Sequence, residues 1–171
     1  EERSATRYIQ QILDKIKELG LGKIATINGR YYAMDRDQNY DRTGGAFELM
    51  TEGKGFEESD PLEAIKNSYK RGDDTDYYIH PIILDKNGLV EKNDQIIFFN
   101  FRTDRAKQIT EAFTEKLING ETYLKSEQFV CFGPYSKICP VIFPMQKVKN
   151  NLGEYLSNLG LKQLRAAETE K

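Results

Sequence analysis

Two short segments of this 171-residue chain set arginines directly behind β-type runs. The first is Ile27-Asn28-Gly29-Arg30, continuing to Arg36; the second is Phe101-Arg102-Thr103-Asp104-Arg105. In α/β proteins, ligands gather beyond the carboxyl ends of strands. A helix that starts there offers an anion free N–H groups and a partial positive charge. Cations at that end oppose helix stability, so Arg102 and Arg105 read as ligand groups. A guanidinium grips carboxylate or phosphate through two parallel hydrogen bonds, which an ammonium cannot do. A plainer reading stays open beside this one. Arg36 lies between Asp35 and Asp37, and Arg105 follows Asp104, so both could form ordinary ion pairs of small energetic weight. On the ligand reading, Arg30, Arg36, Arg102 and Arg105 are predicted to converge on one cleft at a shared edge of the sheet.

Other reactive chemistry is thin. His80 is the single histidine, which excludes a His-rich metal centre or a two-histidine mechanism, and it reads as a strand residue without catalytic duty. Tyr31-Tyr32 reads as packing. Cys131 and Cys139 are too few for a disulfide framework and lack the close Cys/His company of a zinc site. They read as core or edge thiols, best suited to a reducing cytoplasm. No Gly-rich phosphate loop and no Gly-x-Ser-x-Gly elbow is present. No catalytic residue and no metal ligand is therefore assigned. Twenty-five Lys+Arg against 27 Asp+Glu give a formal charge of -2, which argues against a nucleic-acid binder. No apolar run approaches the ~20 residues that span a bilayer.

The elements that must position these arginines alternate between strand and helix. Residues 4–19 predict a helix, with Ser4 as cap, Ile9, Ile12, Leu13, Ile16 and Leu19 at helical spacing, and Gly20 as terminator. Residues 23–27 read as a strand, 30–37 as a loop, and 41–51 as a helix facing inward through Ala46, Phe47 and Met50. Asp60-Pro61 opens a further helix as cap and N1 proline. Tyr77–Leu84 is β-like and runs into an Asn87-Gly88 turn. Gln95–Phe101 is nearly all apolar and predicts a central strand covered on both faces. Thr103 and Asp104 cap a helix with the stripe Ala106, Ile109, Ala112, Phe113 and Leu117. Phe129–Phe132 and Pro140–Phe143 follow as strands, Leu152–Leu159 as a short helix stopped by Gly160, and Lys162–Ala167 as an extended segment. The fold class is α/β: a mixed sheet, including a hairpin, with helices packed on it, in one domain spanning residues 1–171.

Three stretches resemble the cofactor-independent phosphoglycerate mutases. They are Gly22-Lys23-Ile24-Ala25-Thr26-Ile27-Asn28-Gly29-Arg30-Tyr31-Tyr32-Ala33-Met34-Asp35-Arg36-Asp37; Ile97-Phe98-Phe99-Asn100-Phe101-Arg102-Thr103-Asp104-Arg105-Ala106; and Lys147-Val148-Lys149-Asn150-Asn151-Leu152-Gly153-Glu154, running on to Ala167-Glu168-Thr169-Glu170-Lys171. The resemblance implies the substrate-binding, or phosphotransferase, domain of a two-domain isomerase that interconverts 3-phosphoglycerate and 2-phosphoglycerate. Arg30, Arg36, Arg102, Arg105 and Lys171 would then bind substrate. The nucleophilic serine and two manganese ions would sit on a phosphatase-like partner domain absent from this sequence, while an upstream histidine and an Asp-Gly-Arg-Asp motif of this domain's own binding site would lie before Glu1. No 2,3-bisphosphoglycerate would be required, and a cytoplasmic monomer is expected. Both ends read as cuts, the N-terminal side truncating the domain, and the fragment alone is expected to be inactive. A non-catalytic module for a phosphorylated or carboxylated metabolite is the alternative.

Overall fold

An amphipathic stripe forms the first helix, α1 (Ala5–Leu19), in the computed structural model, which describes residues 2–116, 118, 120–146, 148–164 and 166. Ile9, Leu13 and Ile16 are half-buried, while Ile12 and Leu19 stay exposed. Gly20 ends the helix in the left-handed region at φ 62°, where a side chain would be strained. The start differs from expectation. Ser4 makes no side-chain cap; the Asp76 carboxylate, far along the chain, accepts from the backbone N–H groups of Ser4 and Ala5 at 2.8 and 2.9 Å.

Next come β1 (Thr26–Ile27), α2 (Arg30–Ala33), α3 (Tyr40–Glu52), β2 (Phe56–Glu57) and α4 (Pro61–Arg71). Asp60 caps α4, its carboxylate accepting from the N–H groups of Leu62 and Glu63 at 2.9 and 2.8 Å. The segment expected as a loop at 30–37 begins with one helical turn, α2, too short to leave a periodic signature. The β-like stretch 77–84 divides into a 3₁₀ turn (Asp76–Tyr78) and β3 (Ile82–Ile83). Asn87-Gly88 closes a second 3₁₀ turn whose N–H at Asn87 is taken by Asp85, so no hairpin forms there.

Strand β4 (Ile96–Phe98), α5 (Thr103–Thr114), β5 (Phe129–Cys131) and α6 (Leu152–Asn158) complete the order. Pro140–Phe143 contributes a single bridge, Val141 to Cys131, rather than a strand. The sheet is split. β3 pairs antiparallel with β1 and parallel with β2, while β4 and β5 form a separate parallel pair. The chain is mixed α/β as expected, but β4 is not a strand covered on both faces: Ile97 is 68% exposed, and Phe99 and Phe101 beyond it are exposed too. A continuous apolar run does not say how many of its faces this chain covers.

Two cores result. Ala64, Ile65, Ile79 and Ile82 pack with α1 and β1 residues in one. The other joins Ala46 and Phe47 of α3 to Ala106, Ile109, Ala112 and Phe113 of α5, with Phe129 and Cys131. Leu117, expected on the α5 stripe, lies outside the described residues. Helix α6 buries little beyond Gly153, leaving Leu152, Tyr155 and Leu159 exposed. Among the described residues no helix is long and apolar enough to cross a membrane.

Candidate functional site

The two arginine segments meet at the N-terminal ends of α2 and α5. Gly29 makes the first approach possible. Its N–H donates to the Ile79 carbonyl at 2.7 Å, and a Cβ there would lie 2.3 Å from the Tyr77 carbonyl oxygen. Only glycine lets the backbone come this close, and it delivers Arg30, the first residue of α2, over the Tyr77 ring at 5.5 Å. The second segment turns from strand into helix at Arg102, whose N–H is held by the Asn100 side chain at 2.9 Å. Neither Thr103 nor Asp104 caps α5; Arg102 occupies the cap position without a side-chain cap bond.

Asp104 instead joins the segments. Its carboxylate accepts from Arg102 Nε at 2.9 Å and from Arg36 at 2.6 Å, 68 residues away. Those bonds, Arg102 foremost, hold its pKa well below the usual carboxylate range although partial burial opposes them. Arg105 takes a different partner, donating to the Met34 carbonyl at 2.9 Å. Arg30 feels the group most: burial, then the positive fields of Arg105 and Arg102, push its pKa down. The Nε atoms of Arg30 and Arg105 are buried without an acceptor.

Arg36 rides on a loop pinned by a buried polar network that the sequence did not disclose. Gln108, one turn beyond Asp104, accepts from the Gln38 N–H and donates to Asp35 at 3.0 Å and to Thr43 at 3.1 Å. Asp35 also accepts from the Asp37 and Asn39 N–H groups and from the Asn39 side chain. Burial alone would raise the Asp35 pKa, but these hydrogen bonds outweigh it and the net shift is downward. The loop is tight enough to hold Gln38 at φ 62°, unusual for a residue with a Cβ. The ordinary ion pairs weighed above form only in part. Arg36 reaches Asp37 at 3.9 Å, Asp35 meets Arg42 at 3.6 Å, and Arg105 bonds to a carbonyl.

The four arginines lie near one another, but not at one sheet's edge, because the strands belong to two sheets. Nor does either hollow beside them take in more than one of the four. One, of about 610 Å³, sets Arg36, Lys107 and Lys137 against Asp104, Glu111 and Glu115. The other, of about 560 Å³, sets Arg30 beside Glu2, Asp76, Tyr77 and Tyr78. Lys171 lies outside the described residues. His80 is not in a strand: it hydrogen-bonds buried Asp73 through Nδ1 at 2.5 Å, and Asp73 also accepts from Ser68. Both thiols are buried, and burial followed by Cys139 pushes Cys131 up to about 12. Among the described residues no three His, Cys, Asp or Glu side chains gather as a metal site.

Fold and site together define a mixed α/β domain whose two helix N-termini carry a corner of clustered guanidinium groups. The chain belongs to the family described as BPG-independent PGAM N-terminus, whose profile matches residues 1–137. It is 44% identical to the 2,3-bisphosphoglycerate-independent phosphoglycerate mutase of Moorella thermoacetica, over 98% of this chain and 34% of that protein. The protein of the same name from Methanococcoides burtonii is 42% identical over 99% of this chain and 34% of its own length. The chain thus spans about a third of the length of these curated relatives. The crystal structure of Leishmania mexicana phosphoglycerate mutase at low cobalt concentration superposes with a TM-score of 0.73 at 23% identity. That match covers 93% of this chain and 32% of that one.

Proposed function

We propose that this chain is the substrate-binding part of a 2,3-bisphosphoglycerate-independent phosphoglycerate mutase. In this reading it holds 3-phosphoglycerate or 2-phosphoglycerate while a phosphatase-like partner domain, carrying the serine nucleophile and two manganese ions, moves the phosphoryl group. The observation that carries the reading is the gathering of Arg30, Arg36, Arg102 and Arg105 at one corner, where Arg36 and Arg102 share Asp104 and Arg30 lies in the fields of Arg102 and Arg105. An excess of guanidinium over carboxylate there favours a multiply charged anion. Several fixed guanidiniums suit a glycerate that must stay bound between two half-reactions, and they would stabilise charge during phosphoryl transfer. Lys171 is part of the same proposal, as is a cytoplasmic location, where the two buried free thiols would stay reduced.

The test is an NMR titration of this chain with 3-phosphoglycerate at low and high salt, following the amides of Arg30, Arg36, Arg102 and Arg105. With no partner domain to exclude water, the expected affinity is about millimolar, near 4 kcal/mol. It should vanish at about 1 M salt, where the screening length is roughly 3 Å. Shifts scattered elsewhere, or indifferent to salt, would reject the reading.

A further inference from the structure

Among the described residues, Asp104 is the carboxylate that Arg36 and Arg102 share. Its side chain and those of Arg36 and Arg102 are each about 30% exposed, so a ligand approaching the corner meets all three. Arg102 approaches it through both Nε and Nη2, to Oδ1 and Oδ2 at 2.9 and 3.5 Å. That geometry fixes the plane of the guanidinium. Arg36 comes from the distant loop to Oδ2, so the same group sets the register between the two arginine segments.

We propose that Asp104 is the positioning residue of this corner: it holds the guanidiniums of Arg36 and Arg102 in one register, so that an anion needing both finds them ordered. The inference rests on the substrate reading above. Asp37 also nears Arg36, but at 3.9 Å and 71% exposed it is screened by water. As a charge Asp104 opposes every anion, and a more highly charged one the more. What it returns is order, since the guanidiniums need not be immobilised when the ligand arrives.

The experiment has two arms on this chain, wild type and Asp104→Asn. The ligand-free arm follows Cζ–Nε rotation of the Arg36 and Arg102 guanidiniums by NMR, with Arg42, which pairs with Asp35, as internal control. Slow rotation in wild type and fast rotation in the variant, with Arg42 unchanged, is the expected result. Unchanged rotation at both sites overturns the positioning role whatever the ligand proves to be. The binding arm titrates 3-phosphoglycerate and inorganic phosphate at fixed low salt. Loss of the charge alone would strengthen both, 3-phosphoglycerate the more; loss of order costs the ligand that needs both guanidiniums in register. The expected result is a preference for 3-phosphoglycerate that falls about threefold in the variant. An unchanged or increased preference overturns the positioning role. Wild type that binds neither anion, yet holds its guanidiniums rigid, sinks the substrate reading while the positioning role stands. Should Asp104→Asn fail to fold, Asp104→Glu keeps the charge but moves it by one methylene. It should loosen both guanidiniums and lower the same preference, and rigid guanidiniums in it would count against the proposal.

Discussion

Arg102 and Arg105 differ in what holds them, and their variants should differ accordingly. Arg105 donates to the Met34 carbonyl, so Arg105→Ala strips a partner from the backbone and should cost about 1 kcal/mol in a denaturant titration. The Arg102 side chain bonds to the partly exposed Asp104 carboxylate, and its removal should leave stability nearly unchanged. Both should weaken 3-phosphoglycerate binding about tenfold or more, with Arg102→Lys restoring only part because the planar fork is lost. Equal binding in wild type and Arg102→Ala would remove Arg102 from the site. Away from the arginines, Asp73 accepts from Ser68, from the His80 ring and from the His80 backbone N–H. Asp73→Asn keeps the shape but turns one acceptor into a donor facing donors. It should lower stability by about 1–3 kcal/mol on chemical denaturation.

At the level of elements, the loop from Met34 to Asn39 is held by carboxylate chemistry, which makes its hold sensitive to acid. Asp35, Asp73 and Asp104 all have pKa values lowered in the folded protein, through hydrogen bonds that outweigh burial. The unfolded chain therefore binds protons first on acidification. The stability these groups contribute is complete above the ordinary Asp pKa of about 4 and is lost as pH falls through their folded values. Unfolding free energy should be flat from about pH 7 to 5 and drop below about 4. Asp35→Asn should flatten that drop; a profile identical to wild type would mean the loop is held by something else. Such loops are where reading the sequence runs short. Asp60-Pro61, Gly20 and the α5 stripe were legible because caps and periodicity act between near neighbours. The bonds of Gln108 to Gln38, Asp35 and Thr43 cross 65–73 residues, and no local pattern announces them. That Arg36 and Arg102 meet on one carboxylate was not legible, because Asp104 reads as a helix cap. Gln95–Phe101 failed for another reason: hydrophobicity reports that a face is to be covered, not whether this stretch of chain covers it.

At the scale of the molecule, the two cores share no buried residue among those described. Ile65→Val in the first and Phe113→Leu in the second should each cost about 1 kcal/mol. Because the sites are separate, the double variant should lose the sum to within about 0.5 kcal/mol. A coupling well beyond that would show one cooperative core where the packing draws two. Helix α2 is what joins them: Gly29 at its start is bonded to Ile79 of the first core, while Tyr32 and Ala33 pack on the second. Gly29→Ala should therefore push this joint apart and weaken anion binding along with stability, seen as a loss in both titration and melting.

That joint has a consequence for how the molecule stores free energy. Arg30 is anchored to one core and Arg102 and Arg105 to the other, so an anion gripped by all of them is a cross-link between two separately packed halves. Occupancy and cohesion then become one thermodynamic quantity. At a ligand concentration 100 times Kd, the folded state gains about 2.7 kcal/mol. For a chain of this size that is a rise in Tm of roughly 5–10 °C. On the proposed function a melting curve then measures how full the corner is, and a substitution that loosens either half is expected to weaken binding without touching an arginine.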